Sequence, residues 1–321
     1  MSPVAPRAAQ TARTLSHYLS VADLTTAEII QLLDCAAELK RNLANGSTPA
    51  LLAGKVAALV FQKPSLRTRV SFEMGMLQLG GQALYLSPAE VQLGQREGVV
   101  DVARVLSRFV DAIVARVFVH VDVVGLAEHA DVPVINALSD REHPCQILAD
   151  LLTLRERFGR LAGLCLAYVG DGNNVAHSLA LAAPRLGMQL RFACPEGYEP
   201  DPAILETAYA DAASGGGSVE LFGDPGEAVR NADAIYTDTW YSMGQEGEAE
   251  LRAPIFRRYQ VNTELLALAA PGALAMHCLP AHRNQEITDA VLDGPASAVY
   301  DQAENRLHVQ KALLLRLLGQ G

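Results

Sequence analysis

The chain has 321 residues, half of them hydrophobic (50%) and 19% charged, with a net charge of −10. That acidic balance works against nucleic-acid and anionic-membrane partners, so any anion must be held in a local pocket. No run approaches the roughly 18 apolar residues of a membrane span, and five cysteines are too few, and odd in number, for a disulfide framework.

The length suits two domains of about 150 residues, each able to bury a core. The start, MSPVAPRAAQTARTLSHYLS, lacks the apolar centre of a secretion signal. With arginines and no acid before Asp23 it is only faintly like a transit peptide, and the protein reads as cytoplasmic. Cys35, Cys165 and Cys194 fall in apolar runs and read as core residues.

From there, short β-branched runs alternate with longer helical patterns. Residues 56–61, 83–87, 112–117 and 132–136 read as strands in the first half. Residues 164–169, 189–194, 219–222, 234–238, 273–278 and 298–301 follow in the second. Val99, Val102, Val105, Leu106 and Phe109 typify the helical spacing between them. Such alternation predicts doubly wound parallel sheets covered on both faces. The helix pattern over 145–159 places a junction near residue 150, giving a first domain of 1–150 and a second of 151–302. The apolar spacing over 303–318 predicts a terminal helix packing back on the first domain, which then includes 303–321.

In open parallel sheets ligands bind beyond the carboxyl ends of the strands. The residues there are Ser65–Arg69, Gln92, Arg116, His143–Gln146, Asn173, Asn174, Asp238 and Cys278. They come from both halves and predict a cleft between domains. In KPSLRTRVSFE, Ser65 is a candidate N-cap, followed by an apolar helix pattern that stops at Gly80-Gly81. Arg67 and Arg69 at its start oppose the helix dipole, which a structural helix would avoid unless an anion compensates. Solvated surface arginines are the simpler alternative. Pro144 fits a first helical position, which puts His143 at the cleft mouth.

GDGNN follows a buried run and opens a helix, but lacks the third glycine of a dinucleotide site, and no acid ends the next strand. The asparagines suit a carboxylate better. DTWYSMG begins at a strand end and enters a long non-periodic stretch to about Gln260, read as a substrate lid, with a disordered insertion as the plainer alternative. HCLPAHR fits no usual zinc spacing, and the strand-end position of Cys278 suits an active thiol.

Together FQKPSLRTRVSFE, LYLSPAEVQLGQRE, HPCQILADLLT, GDGNN, DTWYSMG, HCLPAHR and QAENRLHVQKALL resemble the ornithine carbamoyltransferase family, from about His17 to Lys311. The first and third are shared broadly by carbamoyltransferases, whereas SMG and HCLP point to ornithine. The resemblance implies carbamoyl phosphate held by Ser65, Leu66, Arg67, Thr68, Arg116, His143, Pro144, Cys145, Gln146, Cys278, Leu279 and Arg306. Gln92 would reach a neighbouring subunit's site in a homotrimer or an assembly of trimers. L-Ornithine would be held by Asn174, Asp238, Ser242 and Met243, with Cys278, Asp238, Arg116 and His143 in catalytic roles. No metal or organic cofactor is implied. The sequence departs from the family's STRTR at Leu66, which costs little if that position contributes its backbone N–H. A carbamoyltransferase for another amine (N-acetylornithine, putrescine, aspartate) and a catalytically silent ligand-binding relative are the alternatives.

Overall fold

The computed structural model describes residues 15–241 and 246–319. After a helix α1 (Thr26–Ala44), strand β1 (Val56–Phe61) leads into α2 (Leu66–Gln78) and β2 (Gln82–Leu86). Short α3 (Pro88–Val91) and α4 (Val99–Leu106) precede β3 (Ala112–Arg116), α5 (His120–His129) and β4 (Val134–Leu138). These strands form an all-parallel sheet in the order β2-β1-β3-β4. Helix α6 (Pro144–Phe158) carries the chain past residue 150 to Gly159, whose left-handed φ of 73° ends it.

A second parallel sheet follows, with strands β5 (Cys165–Val169), β6 (Gln189–Ala193), β7 (Ser218–Phe222), β8 (Ala234–Thr237) and β9 (Leu274–His277). Its order is β7-β6-β5-β8-β9. Its connecting helices are α7 (Asn174–Ala182), α8 (Pro202–Gly215), α9 (Pro225–Val229), α10 (Ala249–Phe256), α11 (Thr263–Leu266) and α12 (Asp289–Leu292). The final helix, α13 (Val299–Leu318), packs on α1, α2 and α6.

Strand alternation sorts the cores. Ala57, Leu59 and Phe61 of β1 face the same continuous core as Leu166 and Tyr168 of β5. Ala58 and Val60 face a separate layer under α4 and α5, and Cys165, Ala167 and Val169 face the opposite layer of the second sheet. Helix α6 is buried at every residue from Pro144 to Leu154, as a helix between two sheets must be. At about 25 cal/mol per Å² of apolar area, this shared core is the main force joining the halves.

Four expectations need correction. Residues 298–301 are not a strand: Ala298 caps α13, and only Ser297 pairs with Ala275 of β9 before the chain turns helical. The stretch 246–260 is largely helical, with Pro254 inside α10. Its pattern was hidden because a polar residue, Arg252, occupies the buried face one turn before Phe256. Val105 and Phe109 are exposed rather than covered. Strand β4 starts two residues late, after Pro133, which has no N–H for the ladder.

Candidate active site

Each sheet reverses its strand order beside its first strand, between β1 and β3 in one and between β5 and β8 in the other. A crevice opens at such a switch point because the following helices leave on opposite faces. Ser65–Arg67 follow β1 and Arg116 ends β3; Asn173 and Asn174 follow β5, and Asp238 follows β8. The two crevices meet in one cavity of about 320 Å³, which also takes His143, Cys278, Leu279 and Arg306. A larger opening near Cys194 and Tyr259 lies over β6 and β7, away from both switch points.

On the first-sheet side, Ser65 caps α2, its hydroxyl accepting the Thr68 N–H at 3.3 Å. The Thr68 hydroxyl accepts from Arg306 Nη2 at 2.8 Å. Thr68 is fully buried, behind the cavity wall rather than on it. The Leu66 side chain is 74% exposed, leaving its backbone as its polar contribution at the helix start. Arg67 lines the cavity, whereas Arg69 turns away, pairing with Glu73 at 2.9 Å and stacking over Tyr85. Residues two apart on a helix point about 200° apart, so the two arginines never shared a face.

Arg116 and Arg306 are nearly inaccessible. Burial lowers the pKa of Arg116 to about 9, with the charges of Arg306 and Arg67 adding to the effect. Burial also pushes the Arg306 and Arg67 pKa values down. His143 is driven well below the usual imidazole range, first by burial and then by Arg306, Arg116, Lys63 and Arg67. It is therefore a neutral imidazole at neutral pH. Its backbone N–H is held by Ser178 Oγ at 3.0 Å.

On the second-sheet side, Asn173 caps α7 and donates through Nδ2 to Asp238 Oδ2 at 2.8 Å. The other Asp238 oxygen accepts from Cys278 Sγ at 3.1 Å. Burial, and then Asp238, raise the Cys278 pKa well above its usual value. The expected active thiol is thus a protonated thiol donating to a carboxylate. Asn174 reaches across to the Ser139 carbonyl at 2.6 Å. Gly172 serves close backbone approach, since a Cβ there would lie 2.3 Å from the Glu199 backbone. Leu279 sits at a φ of 55°, a left-handed geometry that costs a branched residue energy and concentrates at working sites.

The ligand atoms of Asp238, His277 and Cys278 lie within 4.8 Å of one another. Both ring nitrogens of His277 are committed, Nδ1 to the Leu279 N–H and Nε2 to buried Glu286. Arg252 of α10 reaches back to Asp171 at 3.2 Å and to the Trp240 carbonyl at 3.0 Å.

The cavity therefore gathers Ser65, Leu66, Arg67, Arg116, His143, Arg306, Asn174, Asp238, Cys278 and Leu279 of the expected residues. Pro144, Cys145 and Gln146 are buried at the start of α6, beside the lining residue His143, and Gln92 is exposed elsewhere. Ser242 and Met243 lie outside the described residues. Lys63, Thr239, Tyr241 and His282 also line it and were not anticipated. All four fall within quoted motifs, and the positions of Lys63 and Thr239 just past the ends of β1 and β8 were the available signal.

Fold and site define a two-sheet α/β protein with an arginine-lined face opposed to a carboxylate–thiol face. Residues 16–156 match the aspartate/ornithine carbamoyltransferase carbamoyl-P binding domain, and residues 162–317 match that family's Asp/Orn binding domain. The chain belongs to the aspartate/ornithine carbamoyltransferase family. It is 54% identical to an ornithine carbamoyltransferase of Thermococcus kodakarensis over 94% of this chain and 96% of that one. It is 55% identical to an anabolic ornithine carbamoyltransferase of Pyrococcus furiosus, over 94% and 96% respectively. The solved ornithine carbamoyltransferase from Pyrococcus furiosus superposes with a TM-score of 0.94 at 53% identity, covering 97% of this chain and all (100%) of that one. The Thermus thermophilus ornithine carbamoyltransferase gives 0.85 at 50% identity, with coverage of 94% and 99%.

Proposed function

We propose that the chain transfers the carbamoyl group of carbamoyl phosphate to the δ-amine of L-ornithine, giving L-citrulline and phosphate. The observation that carries this reading is the convergence of Arg67, Arg116 and Arg306 on a helix N-terminus beside a neutral His143. Three buried or half-buried cations repel one another, and a phosphate dianion relieves that repulsion. Charge-assisted bonds from arginine, together with α2 backbone N–H groups, hold it.

The amine nitrogen attacks the carbonyl carbon, the carbonyl oxygen becomes anionic, and collapse breaks the C–O bond to phosphate, which leaves carrying the proton the amine nitrogen gives up. Arg116 and the neutral imidazole of His143 are suited to the developing oxyanion. Asp238, held by Asn173 and Cys278, orients the amine, which must arrive unprotonated against an ordinary alkylamine pKa of about 10. Arg67 feels both Asp238 and Cys278, so the two halves of the reaction lie within electrostatic reach. The chain itself supplies every group this route uses.

Ser242 and Met243 complete the ornithine site in this reading, and Pro144, Cys145 and Gln146 back the carbamoyl phosphate side. The division into 1–150 with 303–321 against 151–302 is supported by the two separate sheets and by the packing of α13 on α1, α2 and α6. Gln92 is exposed, at a left-handed φ of 45° and away from its own cavity. That supports its donation to a neighbour in a homotrimer or an assembly of trimers. No described helix is long and apolar enough to cross a membrane, in keeping with a cytoplasmic enzyme.

The test is citrulline formation from carbamoyl phosphate, comparing ornithine with N-acetylornithine, putrescine and aspartate. Turnover with ornithine alone is expected. Turnover only with another amine would keep the phosphate site and overturn the acceptor assignment.

A further inference from the structure

Where α6, β8, β9 and α13 meet, a carboxylate is buried outright. Asp150, near the middle of α6, has no exposed surface and does not line the cavity. Its Oδ1 accepts from Gln146 Nε2 at 2.9 Å, one turn earlier, and from Gln302 Nε2 of α13 at 2.8 Å. The orientation of Gln302 is dictated from outside. Its Oε1 accepts the backbone N–H of His277 at 3.0 Å, a group that can only donate, so its NH₂ must face Asp150.

An ionised carboxylate accepts and never donates. Gln146 must therefore also turn its NH₂ to Asp150, which leaves its carbonyl Oε1 as the end of the amide away from that carboxylate. That oxygen is buried and has no hydrogen-bond partner among the described residues. Gln146 lies in the turn of α6 that begins at the cavity residue His143, and its own N–H bonds the His143 carbonyl. A buried acceptor in this place calls for an N–H donor. The carbamoyl NH₂ is such a donor, and the methyl group of acetyl phosphate is not.

We propose that Asp150 is a positioning residue that fixes the Gln146 amide, so that Gln146 Oε1 accepts from the carbamoyl NH₂ and selects a carbamoyl over an acyl phosphate. This rests on the reading of the cavity as a carbamoyl phosphate site. Gln302 joins the same carboxylate to the backbone of β9 just before Cys278, so one buried chain sets the amide on α6 and the strand end opposite it.

The selection depends on the carboxylate being ionised. Burial raises the Asp150 pKa to about 6, against the amides of Gln302 and Gln146, the Tyr236 hydroxyl and Arg306. The other titratable groups facing it, Tyr236 and Cys278, are both pushed up by burial and stay neutral in that range. Below about pH 6 a protonated Asp150 can donate, and the Gln146 amide is free to flip.

The experiment is calorimetric titration of the full-length protein with carbamoyl phosphate, acetyl phosphate and inorganic phosphate. It compares wild type, Asp150→Asn, Gln146→Met and the double variant. Wild type should prefer carbamoyl phosphate, and that preference should weaken below pH 6. Asp150→Asn should cut the carbamoyl-to-acetyl ratio about tenfold, the scale of one misplaced hydrogen bond, remove its pH dependence and leave phosphate binding unchanged. Gln146→Met should cut the ratio as much, with Asp150→Asn adding nothing on top. An unchanged ratio in Asp150→Asn, additive losses, or an equal loss of all three ligands would overturn the proposal. Failure of wild type to bind any of the three would overturn the reading of the cavity instead.

Discussion

Arg67 and Cys278 show how environment, rather than residue type, sets chemistry at this site. Arg67 is half-buried with its charge opposed by burial, so its truncation removes a cation that the remaining arginines cannot replace from their fixed positions. Arg67→Ala should weaken carbamoyl phosphate binding by about 100-fold or more, the scale of a lost charge-assisted pair. Equilibrium titration with carbamoyl phosphate reads this directly, and near-normal affinity would remove Arg67 from the cradle. Cys278 is a protonated donor to Asp238. A serine hydroxyl can make that same bond, whereas alanine cannot. Cys278→Ser should therefore retain more ornithine turnover than Cys278→Ala, with both affecting ornithine KM more than carbamoyl phosphate binding. Equal kinetics in the two variants would sink the donor role. Cys278 was legible as a strand-end residue, but its protonation state was not, because that depends on Asp238, which lies 40 residues away in the chain.

Among the elements, α2 was the most legible at its ends, since its cap and its Gly80 stop are local, whereas Val70, Met74 and Leu77 of its apolar run are exposed. Ser65→Ala should cost about 1 kcal/mol of stability through the lost cap, and should also loosen phosphate binding because the same hydroxyl bonds that of Thr68 at 3.0 Å. Denaturant titration and phosphate affinity check the two effects separately. Helix α10 was the least legible, because its anchor is a long-range ion pair. Arg252 of α10 meets Asp171, whose pKa is raised to about 7 by burial, with Arg252 opposing the shift.

The pH dependence follows from the sign of that shift. The folded protein holds the Asp171 proton more tightly than the unfolded chain, so stability from this group is present near pH 4 and is lost as pH rises to about 7. Relative to wild type, Asp171→Asn should gain stability between pH 5 and pH 8, by about 2–4 kcal/mol from the linkage of such a shift. Urea unfolding at both pH values measures it, and a pH-independent difference would rule the buried carboxyl out as the cause.

For the molecule as a whole, two parallel sheets place their switch points against each other, and α6 and α13 hold them there. If Gln92 is donated across subunits, complete sites can form in hybrids of two inactive proteins. Mixing Arg67→Ala with Gln92→Ala subunits after dissociation should restore roughly a quarter of wild-type activity, the fraction of sites expected from random cyclic trimers. No recovery, with hybrid formation verified by mass, would place Gln92 outside a shared site.

Strand–helix alternation, the cap at Ser65, the entry at Pro144 and the strand-end polar residues follow from local sterics, hydrogen bonding and periodicity, all of which one sequence carries. Even the turning away of Arg69 follows from the angular step of a helix. What only the tertiary structure decided involves partners distant in sequence. Asp150 and Gln302 are 152 residues apart, and Arg306 and Thr68 are 238 apart. Burial creates these pairings and shifts the charges around them, and burial exists only once both sheets have closed on α6 and α13.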